Sequence, residues 1–158
     1  LNHYLENFRS TLFRQTQFAE FERAIHEKEQ AGESLNAEAI KKIYLDINKK
    51  YYGKDMVSDE EISMEWARVS HFFNYKYYVY QYATSFAASQ ALAKQVMDEG
   101  ETAVERIQKN FLEAGNSAPP IEVLKAAGVD MSTSQPIEQA MQIFEKTLNE
   151  LEKLVNEK

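Results

Sequence analysis

Apolar residues recur every three or four positions along most of this sequence, and only five glycines and three prolines interrupt them. That spacing places apolar side chains on one face of an α-helix, whereas the two-residue alternation of a half-buried β-strand is nearly absent. We therefore predict an all-α fold, a multi-helix bundle that forms a single domain over residues 1–158. A chain of this length can bury a hydrophobic core.

Residues that start and end helices divide the chain further. The apolar spacing predicts one long helix over about 1–30, and Asn36 is a suitable N-cap for a second helix that ends at Gly53. Ser58 and Glu61 have the spacing of a capping box, which predicts a third helix from there. Three further helices are predicted in the second half of the chain: about 101–114, Pro120 to before Gly128, and about Gln135 to Leu154.

The most unusual stretch spans residues 66–88, which contain the only tryptophan, one of the three histidines and five of the nine tyrosines. We expect a break near Ser70 and then a continuous helix to about Glu99. No charged residue occurs between Tyr77 and Leu92. A helix that is apolar on every side is usually surrounded by protein, so this helix is predicted to be central and buried.

Helical phasing distributes these tyrosines over opposite faces of the predicted helix. Tyr75, Tyr78 and Tyr82 share one face. His71 joins them if it is helical, and the other two tyrosines lie roughly opposite.

The tyrosines allow two interpretations. Aromatic residues at helical spacing are usually core residues. However, five phenols within eight residues point in all directions, and a buried hydroxyl without a partner costs about 1–3 kcal/mol. An arrangement in which some of them face a cleft avoids that cost, and phenol and imidazole donors can stabilise a tetrahedral oxyanion. The composition thus supports a wall that contacts a substrate without naming the substrate.

Charge and cysteine content disfavour several classes of protein. The chain has 25 acidic and 18 basic residues and a net charge of −7, so a nucleic-acid partner is not expected. It contains no cysteine, which excludes disulfides and thiolate metal sites, and we expect a cytoplasmic location. No apolar run reaches the ~20 residues that cross a bilayer, so no membrane partner is expected. Because the sequence begins with Leu1 rather than Met, we expect a segment of a longer protein.

Residues 26–30 contain half of a zinc-binding pattern. The motif His-Glu-x-x-His needs two imidazoles four positions apart on one helix face, but position 30 is Gln. Since charged residues follow His26, we interpret it as part of a solvated helix end. His71 is distant in sequence, and no metal ligand set is expected within the 158 residues.

Several motifs occur in order along the chain: FRQTQFAEFE at 13–22, EWAR at 65–68, HF at 71–72, YVYQYAT at 78–84 and AGVD at 127–130. Together they resemble the C-terminal part of the oligoendopeptidase F group, within the thimet oligopeptidase family of zinc metallopeptidases. The resemblance implies an all-helical cleft enzyme that hydrolyses peptide bonds in short oligopeptides with zinc as cofactor. The zinc is expected to be bound by a His-Glu-x-x-His helix outside this chain, in the N-terminal remainder of the same enzyme, so the chain alone is expected to be inactive.

The resemblance also assigns residue roles. It gives His71 the imidazole role and nominates Tyr77 and Tyr80 as the catalytic phenols that stabilise the tetrahedral intermediate, while Tyr75 and Tyr78 are predicted to bind substrate. Because Tyr78 faces the same way as His71 on a continuous helix, the choice among the tyrosines stays open. The alternative is a non-enzymatic helical module that binds peptides or proteins and can self-associate through apolar cleft surface.

Overall fold

The computed structural model describes residues 1–157, which form helices and no β-strand. This confirms the all-α prediction. Ser10–Ala83 form one compact unit, and Leu1–Arg9 together with the chain from Thr84 onward form another. The two units are described separately below, and a single domain over residues 1–158 stays a prediction.

Eight α-helices and three segments of 3₁₀- or π-helix follow one another in residues 1–157. In chain order these are α1 (Asn2–Asn7), a π-helical segment (Phe8–Phe13), α2 (Arg14–Gln30), α3 (Ala37–Tyr52), a 3₁₀ segment (Glu61–Arg68), α4 (His71–Asn74), α5 (Tyr80–Glu99), α6 (Glu101–Ile107), a second π-helical segment (Gln108–Leu112), α7 (Pro120–Ala126) and α8 (Gln135–Asn156). None of these helices is long and apolar enough to cross a membrane.

In the unit Ser10–Ala83, α2 packs on α3 through aromatic side chains. Phe21 is fully buried, and its ring lies edge-on to the buried Tyr44 ring with the centroids 5.1 Å apart. The Phe72 ring lies 5.4 Å from Phe21 and the Trp66 ring 6.1 Å. Phe21 therefore joins three segments of this unit in one apolar cluster, as expected for large aromatic residues at helical spacing.

A partly buried carboxyl group, with its side chain 11% exposed, ties α2, α3 and the 3₁₀ segment together beside this cluster. Glu65 accepts a hydrogen bond from the Tyr44 hydroxyl at 2.6 Å, and it also pairs with Arg14 and with Arg68. Burial alone raises the pKa of Glu65, but the hydrogen bonds from these three donors outweigh it and hold the pKa below the ordinary value of 4.5. Burial and the bond to Glu65 raise the pKa of Tyr44 in turn.

Most predicted helix ends are confirmed. The Asn36 side chain accepts from the Ala39 N–H at 2.9 Å, and Gly53 follows the last residue of α3 with a φ of 74°. The predicted capping box is wrong, because the Ser58 hydroxyl donates to buried Asn48 instead, and the segment that follows is a 3₁₀-helix.

In the second unit, α1 and α8 pack around Phe8. The Phe8 ring is fully buried, 4.9 Å from the Phe86 ring and 5.5 Å from the Phe144 ring. α7 begins at Pro120 as predicted, because the fixed φ of proline suits the first helical position and no N–H is needed there. The end of α8 at Asn156 lies within two residues of the prediction.

The Tyr44–Glu65 bond gives a stability prediction. Tyr44→Phe removes the hydroxyl donor and keeps the ring, and hydrogen bonds to charged groups contribute about 1.5–3 kcal/mol, so the free energy of unfolding should fall by about that amount in urea unfolding at pH 7. Because the folded pKa of Glu65 is lowered, this contribution is complete above pH 4.5 and is lost as pH falls through the folded pKa. Tyr75→Phe, at a 64% exposed residue, is the matched control and should change stability by less than about 0.5 kcal/mol.

Candidate functional site

The tyrosine-rich stretch is divided by two breaks. The break predicted near Ser70 is confirmed, since Val69 has extended backbone and α4 covers only His71–Asn74. The predicted continuous helix is wrong for residues 75–79, because α5 begins only at Tyr80.

A long-range hydrogen bond accounts for the second break. Tyr77 has a φ of 55°, the only positive φ outside glycine in residues 1–157, and its N–H donates to the Glu22 carboxyl at 2.8 Å. A helix would need this N–H for the carbonyl four residues earlier. The backbone leaves the helical path at Tyr75, which has a φ of −141°, and the bond to Glu22 holds the turn at Tyr77.

The predicted burial of this stretch is also wrong. All five tyrosines are exposed, from 38% at Tyr82 to 64% at Tyr75. The buried positions of α5 are small residues: Ala83, Ala87, Ala88 and Ala91. Absence of charge was a poor guide because tyrosine is uncharged yet keeps its hydroxyl hydrated at a surface.

His71, Tyr75, Tyr78 and Tyr82 lie together, and we call them the His71 cluster. The Tyr78 ring is stacked on the imidazole of His71 with an interplanar angle of 15° and centroids 5.6 Å apart. Tyr82 meets the imidazole edge-on, and its hydroxyl oxygen lies 3.3 Å from His71 Nε2. Tyr75 packs against Tyr78 with the centroids 6.1 Å apart. Helical phasing predicted this grouping, but the structure forms it around a break rather than along one helix.

The contact between His71 and Tyr82 always leaves one hydrogen-bond donor available. If the Tyr82 hydroxyl donates to Nε2, the neutral imidazole carries its own hydrogen on Nδ1. If Nε2 carries the hydrogen and donates, the Tyr82 hydroxyl hydrogen is left for another acceptor. In both tautomers an exposed aromatic surface presents a donor, which suits an oxygen acceptor that carries developing negative charge.

The two predicted catalytic phenols lie elsewhere in this stretch. The Tyr77 ring packs on the imidazole of His26, with the centroids 4.9 Å apart, and Tyr80 is the first residue of α5. Both tyrosines are 49% exposed. The predicted solvated helix end is confirmed, since α2 ends at Gln30 and Glu27, Glu29 and Gln30 are exposed, but His26 itself is partly buried against Tyr77.

Sequence reasoning missed Glu22 and His26 as neighbours of this stretch. They are four residues apart on α2, so they share one helix face, and both contact Tyr77. The available signal was Glu22 itself, an acidic residue that directly follows Phe21 within an apolar helix face.

The residues present do not fit a zinc site. No group of three or more histidine, aspartate or glutamate side chains in residues 1–157 is placed to hold a metal ion. The three histidines lie on different helices, α1, α2 and α4. What residues 66–83 offer instead is a set of phenol and imidazole hydrogen-bond donors.

Comparison with known proteins assigns the family. The model of peptidase family M3 matches residues 1–143. The chain belongs to peptidase family M3. This M3 chain is 56% identical over 155 residues to oligopeptidase PepF of Bacillus subtilis, a match that covers 98% of this chain and 23% of that protein.

Other relatives confirm the resemblance to oligoendopeptidase F. The plasmid-encoded oligoendopeptidase F of Lactococcus lactis subsp. cremoris is 49% identical over 98% of this chain and 26% of its own length. The crystal structure of oligoendopeptidase-F from Enterococcus faecium matches with a TM-score of 0.94 and 48% identity, over 99% of this chain and 30% of that one. This M3 chain thus spans about a quarter of the length of these relatives.

Chemical labelling can test the exposure of the tyrosines in this M3 chain. Trypsin releases Tyr75 alone in residues 69–76 and Tyr44 alone in residues 43–49, so mass spectrometry reads each one separately. Brief nitration with tetranitromethane should modify Tyr75, which is 64% exposed, well before Tyr44, which is fully buried. Equal rates at the two positions under native conditions would contradict the exposed arrangement.

Proposed function

We propose that this chain is the C-terminal part of the catalytic domain of an M3 oligoendopeptidase, an enzyme that hydrolyses peptide bonds in short oligopeptides. Membership in peptidase family M3 and the similarity to oligoendopeptidase F support this proposal. In it, the chain supplies side chains that bind the substrate and stabilise the tetrahedral intermediate. Its partners are oligopeptides and the N-terminal remainder of the same enzyme, in a cytoplasmic location.

One observation carries the proposal: His71 stands in an exposed cluster of phenols and keeps a hydrogen-bond donor available beside Tyr82. The imidazole and one phenol would donate hydrogen bonds to the developing oxyanion of the scissile carbonyl. These hydrogen bonds strengthen as negative charge accumulates on that oxygen. Family resemblance nominates Tyr77 and Tyr80 for the phenol. The stacking on His71 favours Tyr78, which otherwise serves with Tyr75 in substrate binding.

Zinc belongs to the proposal only as a cofactor held elsewhere. The described residues supply no ligand set for it. We therefore propose that residues outside this chain bind the zinc, and that the 158-residue chain has no peptidase activity alone.

Substitution of the phenols in the complete enzyme tests the oxyanion role. Among Tyr77→Phe, Tyr78→Phe and Tyr80→Phe, the variant that removes the oxyanion donor should lower kcat on the order of 100- to 1000-fold, the usual effect of losing one such donor. Tyr52→Phe, on α3, is the control and should keep wild-type kcat. If all three variants turned over oligopeptides at the wild-type rate, none of these phenols would have the proposed role.

The isolated chain separates this proposal from the non-enzymatic alternative. We expect the purified 158-residue chain to show no cleavage of a fluorogenic oligopeptide with added zinc, while the complete enzyme cleaves it under the same conditions. Zinc-dependent cleavage by the isolated chain would contradict the proposal. A complete protein that binds the peptide without cleaving it would favour the helical binding module instead.

A further inference from the structure

We infer that Glu22 is a positioning residue for the proposed oligopeptidase site and acts by fixing the backbone of Tyr77. This inference rests on the proposed function. It assigns a role to an acidic side chain on α2 that neither binds zinc in the proposal nor donates a hydrogen bond to the substrate.

The first support is the burial of Glu22. The residue is 3% exposed although it carries a carboxyl group, and its Oε1 accepts the Tyr77 N–H at 2.8 Å across 55 residues of sequence. Burying a polar group is costly unless it is hydrogen-bonded. The bond to Tyr77 meets that requirement at the point where α2 meets the tyrosine-rich stretch.

The second support is the backbone of Tyr77. A φ of 55° is uncommon for a residue with a side chain and persists where the surroundings hold it. Two groups on one face of α2 hold Tyr77, since Glu22 accepts its N–H and His26 packs on its ring. Both the backbone and the side chain of Tyr77 are thus fixed from the same helix.

The third support is the position of Tyr77 in the chain. It lies between His71 on α4 and Tyr82 on α5, and its neighbours Tyr75 and Tyr78 belong to the His71 cluster. The turn at Tyr77 therefore decides how the two halves of the cluster face each other. Because small misplacements of reacting groups reduce rates strongly, a residue that fixes this turn should affect kcat without touching substrate.

Two substitutions separate the hydrogen bond from the bulk of the side chain. Glu22→Gln keeps an oxygen acceptor of the same reach, whereas Glu22→Leu fills a similar volume without an acceptor. Glu27→Leu is the matched control, because Glu27 is on the same helix but its side chain is 59% exposed and pairs with Arg23 one turn earlier.

The experiment measures kcat, KM and amide hydrogen exchange in the complete enzyme. In Glu22→Leu we expect faster exchange in peptides that cover residues 75–79 and unchanged exchange in α3. With this loosening, kcat should fall on the order of tenfold to a hundredfold with a smaller change in KM. Glu22→Gln and Glu27→Leu should retain wild-type exchange and kcat within about threefold.

Specific results would overturn the inference. Unchanged exchange at residues 75–79 in Glu22→Leu would mean that the carboxyl does not hold this turn. Faster exchange with wild-type kcat would mean that the turn does not position the site. Should Glu22→Leu not fold, Glu22→Asp, which withdraws the carboxyl by one methylene, must show the same loosening and loss of kcat, and wild-type values there would refute the inference.

Failure of the proposed function has a different signature. In that case the wild-type enzyme itself cleaves no oligopeptide, and the inference falls with the function on which it rests. When the wild type is active but Glu22→Leu, or Glu22→Asp if Glu22→Leu does not fold, has wild-type exchange or wild-type kcat, the inference fails while the proposed function stands.

Discussion

The hydrogen bond from the Tyr77 N–H to the buried Glu22 carboxyl determines how the tyrosine-rich stretch is arranged. It takes from the chain an N–H that a helix would use internally, and it accompanies a positive φ at Tyr77. The backbone is already non-helical at Tyr75, whose φ is −141°, so the turn spans residues 75–79. With it, α4 ends at Asn74 and α5 begins at Tyr80, so aromatic side chains from both helices meet at His71.

A second carboxyl, that of the partly buried Glu65, fixes the chain just before this stretch. Glu65 lies six residues before His71. It accepts a hydrogen bond from Tyr44 of α3 and pairs with Arg14 of α2 and with Arg68. Phe21, next to Glu22 in sequence, packs against α3, the 3₁₀ segment and α4. The exposed donors of the His71 cluster therefore extend from a backbone that Glu65 holds before His71 and Glu22 holds at Tyr77, and such support is what a preorganised site requires.

The sequence predicted the features of this fold that depend on neighbouring residues. The helices, the Asn36 cap and the Gly53 end follow from interactions within about four positions, and apolar periodicity reports them directly. The break at Tyr77 depends on a residue 55 positions away, so local propensity favoured a continuous helix. The burial of that helix was inferred from missing charge, but its alanines form the buried positions and its tyrosines stay exposed.

The same division applies to the site. Helical spacing grouped the residues of the His71 cluster correctly. Their side chains still meet although the helix is broken between α4 and α5. Glu22 and His26 were missed because the position of Glu22 beside Phe21 indicates a buried carboxyl but not its partner, which lies 55 residues away. The two groups differ chemically. Residues that present hydrogen-bond donors can be recognised by residue type and spacing. Residues that fix the geometry of those donors are ordinary helix residues, and their role exists only in the folded chain. Family resemblance nominates residues of the first group by motif, whereas residues of the second group emerge from packing and burial.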